Sequence, residues 1–309
     1  MQKPNLLKTI RAPFLSSILS PLLAGTLLAV LSGAPFHLFN FILVLIMGMG
    51  LHAATNVYND IYDTLQGTDR INKHRNDFSG GSGLLVDNPD MISYMRRVAR
   101  GGLIVALAAT FALSFVIRPS LLPLLWILYL LSAFFSKYYT AAPVKLSYRG
   151  WGEIAVWFAF GPMATLVAAV SQNAADHPYI LVALPITGLS TASILLVGEM
   201  IDETADRDSG KMTLVARSGA KTGRWVYTGI QLLLVLNTAL LCGILGWRGL
   251  IALIGLVPYF IIFPKAAEII TRHYEDMDLL KEAAGLNVKI HLMFAVLFNL
   301  GLWLAVMWA

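Results

Sequence analysis

NVYNDIYDTLQGTDR, residues 56–70, sets Asp60, Asp63 and Asp69 directly after a stretch suited to lipid. Upstream, residues 12–59 form a run of 48 without an Asp, Glu, Lys or Arg, interrupted only by Gly33-Ala34-Pro35. As helix the run measures about 72 Å, enough to cross a hydrocarbon core of about 30 Å twice.

The same pattern recurs along the chain. Residues 101–136 carry one charge, Arg118 beside Pro119, and residues 154–198 carry one, Asp176 beside His177-Pro178, so each reads as two spans joined by a tight hairpin. Further apolar stretches at 225–247, 249–264 and 290–308 bring the expected count to nine. Composition agrees: 57% of the 309 residues are hydrophobic and 13% charged, against about 25% charged in ordinary soluble domains. The expected class is an all-α polytopic membrane protein folded as one domain over 1–309.

Orientation follows from Lys and Arg. With the N-terminus and the even loops in the cytoplasm, 21 of the 23 basic residues lie inside, and only Arg118 and Arg248 lie outside. Adding or removing one span would invert every later loop, so the split supports nine spans with the N-terminus in and the C-terminus out. Lys3, Lys8 and Arg11 ahead of the first apolar run imitate a signal peptide, but the charge map requires that the segment be retained. The basic pI of 9.3 then reflects the inside loops, and no nucleic-acid motif accompanies it. Cys242 falls within the seventh span and reads as a small packing residue.

Acids are not sorted by orientation rules, yet of 18 only Asp176 lies outside. They concentrate at two helix ends. Asn56, Asp60 and Asp63 are separated by 4 and 3 residues, and in VGEMIDETADRDSGKMTL so are Glu199, Asp202 and Asp206, by 3 and 4. Each triplet therefore shares one helical face, and both faces open on the same side of the membrane. Carboxylates at a helix C-terminus oppose the helix dipole and repel one another, so cations are expected there. Pairing with Arg70, Lys73, Arg207 and Lys211 would satisfy any single acid, but two matching triplets call for more. Oxygen ligands without a Cys or His set suit Mg²⁺, which completes its shell with water and phosphate oxygens. Ser79 to Gly83 could offer backbone N–H groups to an anion, and Lys211 is the basic residue best placed for a diphosphate.

These two stretches, NDIYDTLQGTD and DETADRDSGKMTL, resemble the paired Asp-rich motifs of the UbiA superfamily of intramembrane prenyltransferases. YYTAAPVKLSYRGWGEIAVWFAFGPMA, residues 138–164, and the pattern Asn59, Asp60, Asp63, Gly67, Asp69 are similar to the branch of 1,4-dihydroxy-2-naphthoate polyprenyltransferases in menaquinone synthesis. The second motif departs from that branch in Gly198-Glu199 and Ile201, where many members carry Asn-Asn and Arg.

The resemblance implies nine helices around a lipid-open central cavity with cytoplasmic cap loops, in a bacterial or archaeal cell membrane. It also implies two Mg²⁺ ions bridging a polyprenyl diphosphate. Asp60, Asp63, Asp202 and Asp206 are then the catalytic set. Asn56, Asp60, Asp63, Asp202, Asp206, Asp69 and Glu199 are candidate metal ligands, and Asn56, Asn59, Lys211, Lys137, Tyr139 and Arg11 candidate substrate contacts. Loss of diphosphate would leave an allylic cation, which an aromatic acceptor captures, with Tyr58, Tyr62, Tyr139, Trp157, Phe158 and Phe160 as candidates to face it and Glu153 and Lys145 as further contacts. Alternatives are another acceptor (4-hydroxybenzoate, a chlorophyllide or a glycerol phosphate ether) or, in a different class, a cation-coupled transporter. The transporter would need acids near the midplane on broken helices.

Overall fold

Lipid offers no partner to backbone N–H and C=O groups, so the charge-free runs can be stable there only as helix. The computed structural model describes residues 5–73 and 81–308, and among these no strand occurs. Ser79 and Gly80 of the expected anion-binding turn lie outside the described residues.

In chain order the principal helices are α1 (Ser16–Leu31), α2 (Leu38–Gln66), α3 (Ile92–Leu113), α4 (Leu122–Tyr138), α5 (Gly152–Phe158), α6 (Ala164–Ser171), α7 (Pro178–Asp208), α8 (Ala220–Ile244), α9 (Trp247–Ala252), α10 (Val257–Ile261), α11 (Phe263–Arg272) and α12 (Met277–Met307). A π turn at Ala159–Met163, carrying Pro162, joins α5 to α6. It fits the missing N–H of proline, which breaks the regular hydrogen-bond ladder.

Seven stretches are long and apolar enough to cross a membrane: 12–31, α2, 119–138, 152–171, α7, α8 and α12. The segments 247–261 and 263–272, bent by 45°, make an eighth if they form one span. The bend falls between Ile261 and Phe263, with Pro264 in the first turn of α11. The expected nine is not reached on length and composition among the described residues. The outstanding candidate is α3, whose first half carries Arg96, Arg97 and Arg100. The last expected span, at 290–308, is part of a much longer helix, because α12 begins at Met277, capped by the Asp276 side chain.

Burial separates central from peripheral helices. The most apolar windows of 12–31 and α7 are 67% and 61% buried, whereas that of 119–138 is 22% buried and exposes Ile127, Leu130 and Phe134. Two apolar cores flank the centre. Leu22, Val44, Met47, Leu113, Leu125 and Val167 belong to one, and Leu28, Ile186, Leu234, Phe294 and Phe298 to the other. In lipid, apolar contact alone discriminates weakly between helices, and buried polar contacts add specificity. Asn287 Oδ1 accepts from Tyr227 (3.1 Å) and Gln231 (3.1 Å), tying α12 to α8, while Tyr259 of α10 donates to Gln231 Oε1 at 3.0 Å. The C-terminal ends of α2 and α7 are bridged by Lys211, which follows α7.

Candidate active site

The last turns of α2 carry Asn56, Asn59, Asp60 and Asp63, and Gly67 ends the helix at φ 95°, a left-handed conformation open to glycine. A one-turn helix, Thr68–Ile71, follows and turns Asp69 back toward α2, where the Thr64 hydroxyl donates to Asp69 Oδ2 at 3.2 Å. Gly81 (φ 69°) closes over the same carboxylate, since a Cβ there would lie 2.7 Å from Asp69 Oδ2. The end of α7 supplies Glu199, Asp202 and Asp206, and the chain then places Lys211 between the two helices.

Direct bonds join the two acidic ends. Lys211 Nζ lies 3.1 Å from Asp63 Oδ2 and 3.8 Å from Asp206 Oδ1. Asn72 Nδ2 donates to Asp202 Oδ1 at 2.8 Å, and the Thr68 hydroxyl donates to Ser209 Oγ at 2.9 Å. Asp63 also accepts from Asn59 Nδ2 (3.1 Å) and from the Tyr148 hydroxyl (2.9 Å), whose oxygen lies 2.7 Å from the Thr68 hydroxyl oxygen. Asp60 accepts from the Ser82 amide at 3.2 Å, with Arg11 Nη1 3.7 Å away. The N-terminal segment is thus folded onto the site, and Asn56 Nδ2 holds it by donating to the Ile10 carbonyl at 3.1 Å.

Asp60 and Asp63 are only 1% and 2% exposed, so these charges interact in a medium far less polar than water. Burial, followed by the Asp63 and Asp60 charges, pushes the Asp69 carboxyl up to about 8. Burial opposes the charge on Lys211, but Asp206 and Asp63 outweigh it and hold the ammonium well above the usual lysine range. Tyr148 is pushed up by burial and then by Asp63, which keeps it a proton donor.

Adjoining spaces with shared lining residues open here. A cavity of about 200 Å³ is lined by acids of both helices and by Asn56, Lys211 and Arg11. His52, Thr55, Tyr139, Val156 and Phe160 line it and also line an apolar chamber of about 90 Å³ beneath, walled by Leu22, Met47, Phe135, Ala164 and Val167.

Of the expected site residues, Asn56, Asn59, Asp63, Asp69, Glu199, Asp202, Asp206, Lys211, Tyr139 and Arg11 line the cavity, and Asp60 lies buried behind them. Lys137 is not brought in: its ammonium sits over the Tyr138 ring at 5.1 Å. It is two residues from Tyr139, on nearly the opposite side of the helix. Lys145 likewise rests over Tyr148, at 5.4 Å. Tyr58 and Tyr62 pair with each other, centroids 6.1 Å apart, on the far side of α2. Of the six candidate aromatics only Tyr139 and Phe160 line the cavity; Trp157 and Phe158 do not. Glu153 is not in the cavity lining and accepts from the Leu214 amide at 2.8 Å.

The donor set fits a hard cation. It is made of oxygen ligands, and Asp60 Oδ2 and Glu199 Oε2 are buried with no hydrogen-bond partner among the described residues. No group of three His, Cys, Asp or Glu side chains converges on one point among the described residues. Mg²⁺ takes one or two carboxylates and fills its shell with water and phosphate oxygens.

Tyr148, Thr68, Asn72 and His52 escaped the sequence reading. His52 alone left a local signal, standing four residues before Asn56 and so on the same face; the others reach the site only through tertiary contact.

The UbiA prenyltransferase family profile matches residues 18–283. A 2-carboxy-1,4-naphthoquinone phytyltransferase from Synechocystis is 24% identical, over 96% of this chain and 92% of its own length. A 1,4-dihydroxy-2-naphthoate octaprenyltransferase from Escherichia coli is 25% identical, over 98% and 96%. Among solved structures, a UbiA homologue from Archaeoglobus fulgidus bound to DMAPP and Mg²⁺ superposes with a TM-score of 0.59 at 14% identity, over 96% of this chain and 99% of that one. With the family profile covering most of its length, this multi-pass membrane protein belongs to the UbiA prenyltransferase family.

Proposed function

We propose that the protein transfers a polyprenyl group from a polyprenyl diphosphate to an aromatic acceptor, 1,4-dihydroxy-2-naphthoate, in an Mg²⁺-dependent reaction that releases diphosphate. The carrying observation is that an acid-lined cavity and an apolar chamber lie side by side and share His52, Thr55, Tyr139, Val156 and Phe160 in their walls. A diphosphate with its cations suits the first space and an isoprenoid tail the second. The naphthoate and naphthoquinone named in the two relatives support the acceptor.

Two Mg²⁺ ions would each draw one or two carboxylates from the set Asp60, Asp63, Asp69, Glu199, Asp202 and Asp206, with Asn56 as a further oxygen donor. When bound, the metal supplies Lewis-acid neutralisation of the leaving diphosphate. Lys211, freed from Asp63 and Asp206, donates to the diphosphate, and Arg11 closes the site from the N-terminal side. As the donor C–O bond breaks, Phe160 and Tyr139 turn π faces toward the allylic carbon, and the lipid-buried walls exclude water from it. The ring carbon that bears the carboxylate attacks, forming the new C–C bond, and loss of carbon dioxide from that carbon returns the bonding pair to the ring and restores aromaticity.

In this reading residues 1–309 form one domain, α3 is the ninth span, and the N-terminus and acidic loops are cytoplasmic. Asp60→Asn and Asp202→Asn, assayed for Mg²⁺-dependent diphosphate release, test it. Both are expected to lose activity by at least about 100-fold, as expected when groups that stabilise transition-state charge are removed. Full activity in both would sink it.

A further inference from the structure

His52 extends the acidic face of α2 into the apolar part of the molecule. It precedes Asn56 by four residues and Asp60 by eight, which places it on the same face about 6 Å and about 12 Å along the helix axis. The imidazole is 8% exposed, and its Nδ1 is buried without a hydrogen-bond partner among the described residues. Its neighbour is Phe160, edge-to-face with centroids 4.8 Å apart. A buried polar group without a partner is costly, and a polar side chain kept within a membrane helix points to function.

The neck between the two spaces is where such a group matters. If diphosphate fills the acid-lined cavity and the tail fills the chamber, the reacting allylic carbon lies where they meet, and the attacking ring must reach it there. Five residues line both spaces. Val156 and Phe160 are apolar. The Thr55 hydroxyl is committed to the Leu51 carbonyl (2.8 Å) and Ser136 Oγ (2.9 Å). The Tyr139 hydroxyl is packed against α5, 3.3 Å from where a Cβ on Gly152 would stand. His52 stands at this neck with a ring nitrogen that no described residue hydrogen-bonds.

We propose that the His52 imidazole takes a hydrogen bond from a ring hydroxyl of the aromatic acceptor, orienting the ring at the neck and selecting for hydroxylated acceptors. The inference rests on the prenyl-transfer reading of the site. No proton changes hands in this contact. An O–H directed at a neutral imidazole nitrogen leaves more electron density on the ring carbons, which favours attack on an allylic cation. A site built to bond a hydroxyl also rejects analogues that cannot donate.

The test compares wild type, His52→Leu and His52→Asn with Mg²⁺, a prenyl diphosphate, and either 1,4-dihydroxy-2-naphthoate or its two mono-O-methyl ethers. Wild type is expected to discriminate against at least one ether. In His52→Leu the kcat/KM for the hydroxylated acceptor falls roughly 10- to 100-fold, the ether changes little, and the donor KM stays within about twofold of wild type. His52→Asn, which keeps a hydrogen-bonding group, recovers part of the discrimination. Unchanged discrimination in His52→Leu overturns the inference. Should that variant not fold, a wild type that accepts both ethers as well as the parent overturns it equally. Failure of wild type to release diphosphate from any prenyl diphosphate would instead overturn the prenyl-transfer reading.

Discussion

Lys211 and Asp63 meet 3.1 Å apart across the ends of two long helices, the ammonium lying at the boundary of both acidic faces. Asp206 shares the same cation at 3.8 Å, so one lysine offsets repulsion between α2 and α7.

Removing that lysine should therefore loosen the metal-free protein. Lys211→Met is expected to lose about 3 kcal/mol of stability, the usual result when one member of a buried pair is deleted. Mg²⁺ with diphosphate should restore part of it. Thermal unfolding in detergent, with and without these ligands, reads both effects, and an unchanged melting temperature without ligand would contradict the role.

Asp69 gives a pH dependence of definite sign. Its folded pKa, about 8, is above the ordinary aspartate value of about 3.9, so between these values the folded state binds the extra proton. Stability of the metal-free protein should fall as pH rises through that window. Asp69→Asn should flatten the slope. At pH 7 Mg²⁺ binding should release a proton, measurable by calorimetry in buffers of different ionisation enthalpy.

The apolar chamber should limit the donor. Ala164 lines it, and Ala164→Phe would fill much of a space of about 90 Å³. Turnover of long-chain donors is expected to fall about tenfold or more relative to a five-carbon donor, the scale on which hydrophobic pockets discriminate. Mass spectrometry of products from mixed donors measures the ratio.

Orientation can be read with single cysteines in a Cys242→Ser background. Arg118→Cys should react with an impermeant maleimide on intact cells, and Ser218→Cys only after permeabilisation. The reverse pattern would invert the proposed orientation.

The acidic ends were legible because helical spacing is a local property: separations of 3 and 4 residues put Asp60 and Asp63, or Asp202 and Asp206, on one face wherever the helix lies. The same rule shows why Lys137 stays outside, since two residues from Tyr139 amounts to about 200° of rotation. Tyr148 and Asn72 carry no such signal. Each belongs to a short connecting segment and meets Asp63 or Asp202 across 85 and 130 residues of sequence.

By itself, then, the sequence determined that the chain is helical, lies in the membrane, and carries two carboxylate faces, because hydropathy and helical periodicity act within one segment at a time. Only the tertiary structure decided that Lys211 bridges the faces, that Arg11 returns over Asp60, that the eighth apolar stretch bends, and that His52 stands between a polar and an apolar space. Those relations depend on how α2, α7 and the N-terminal segment pack, and packing sums weak contacts between segments distant in sequence.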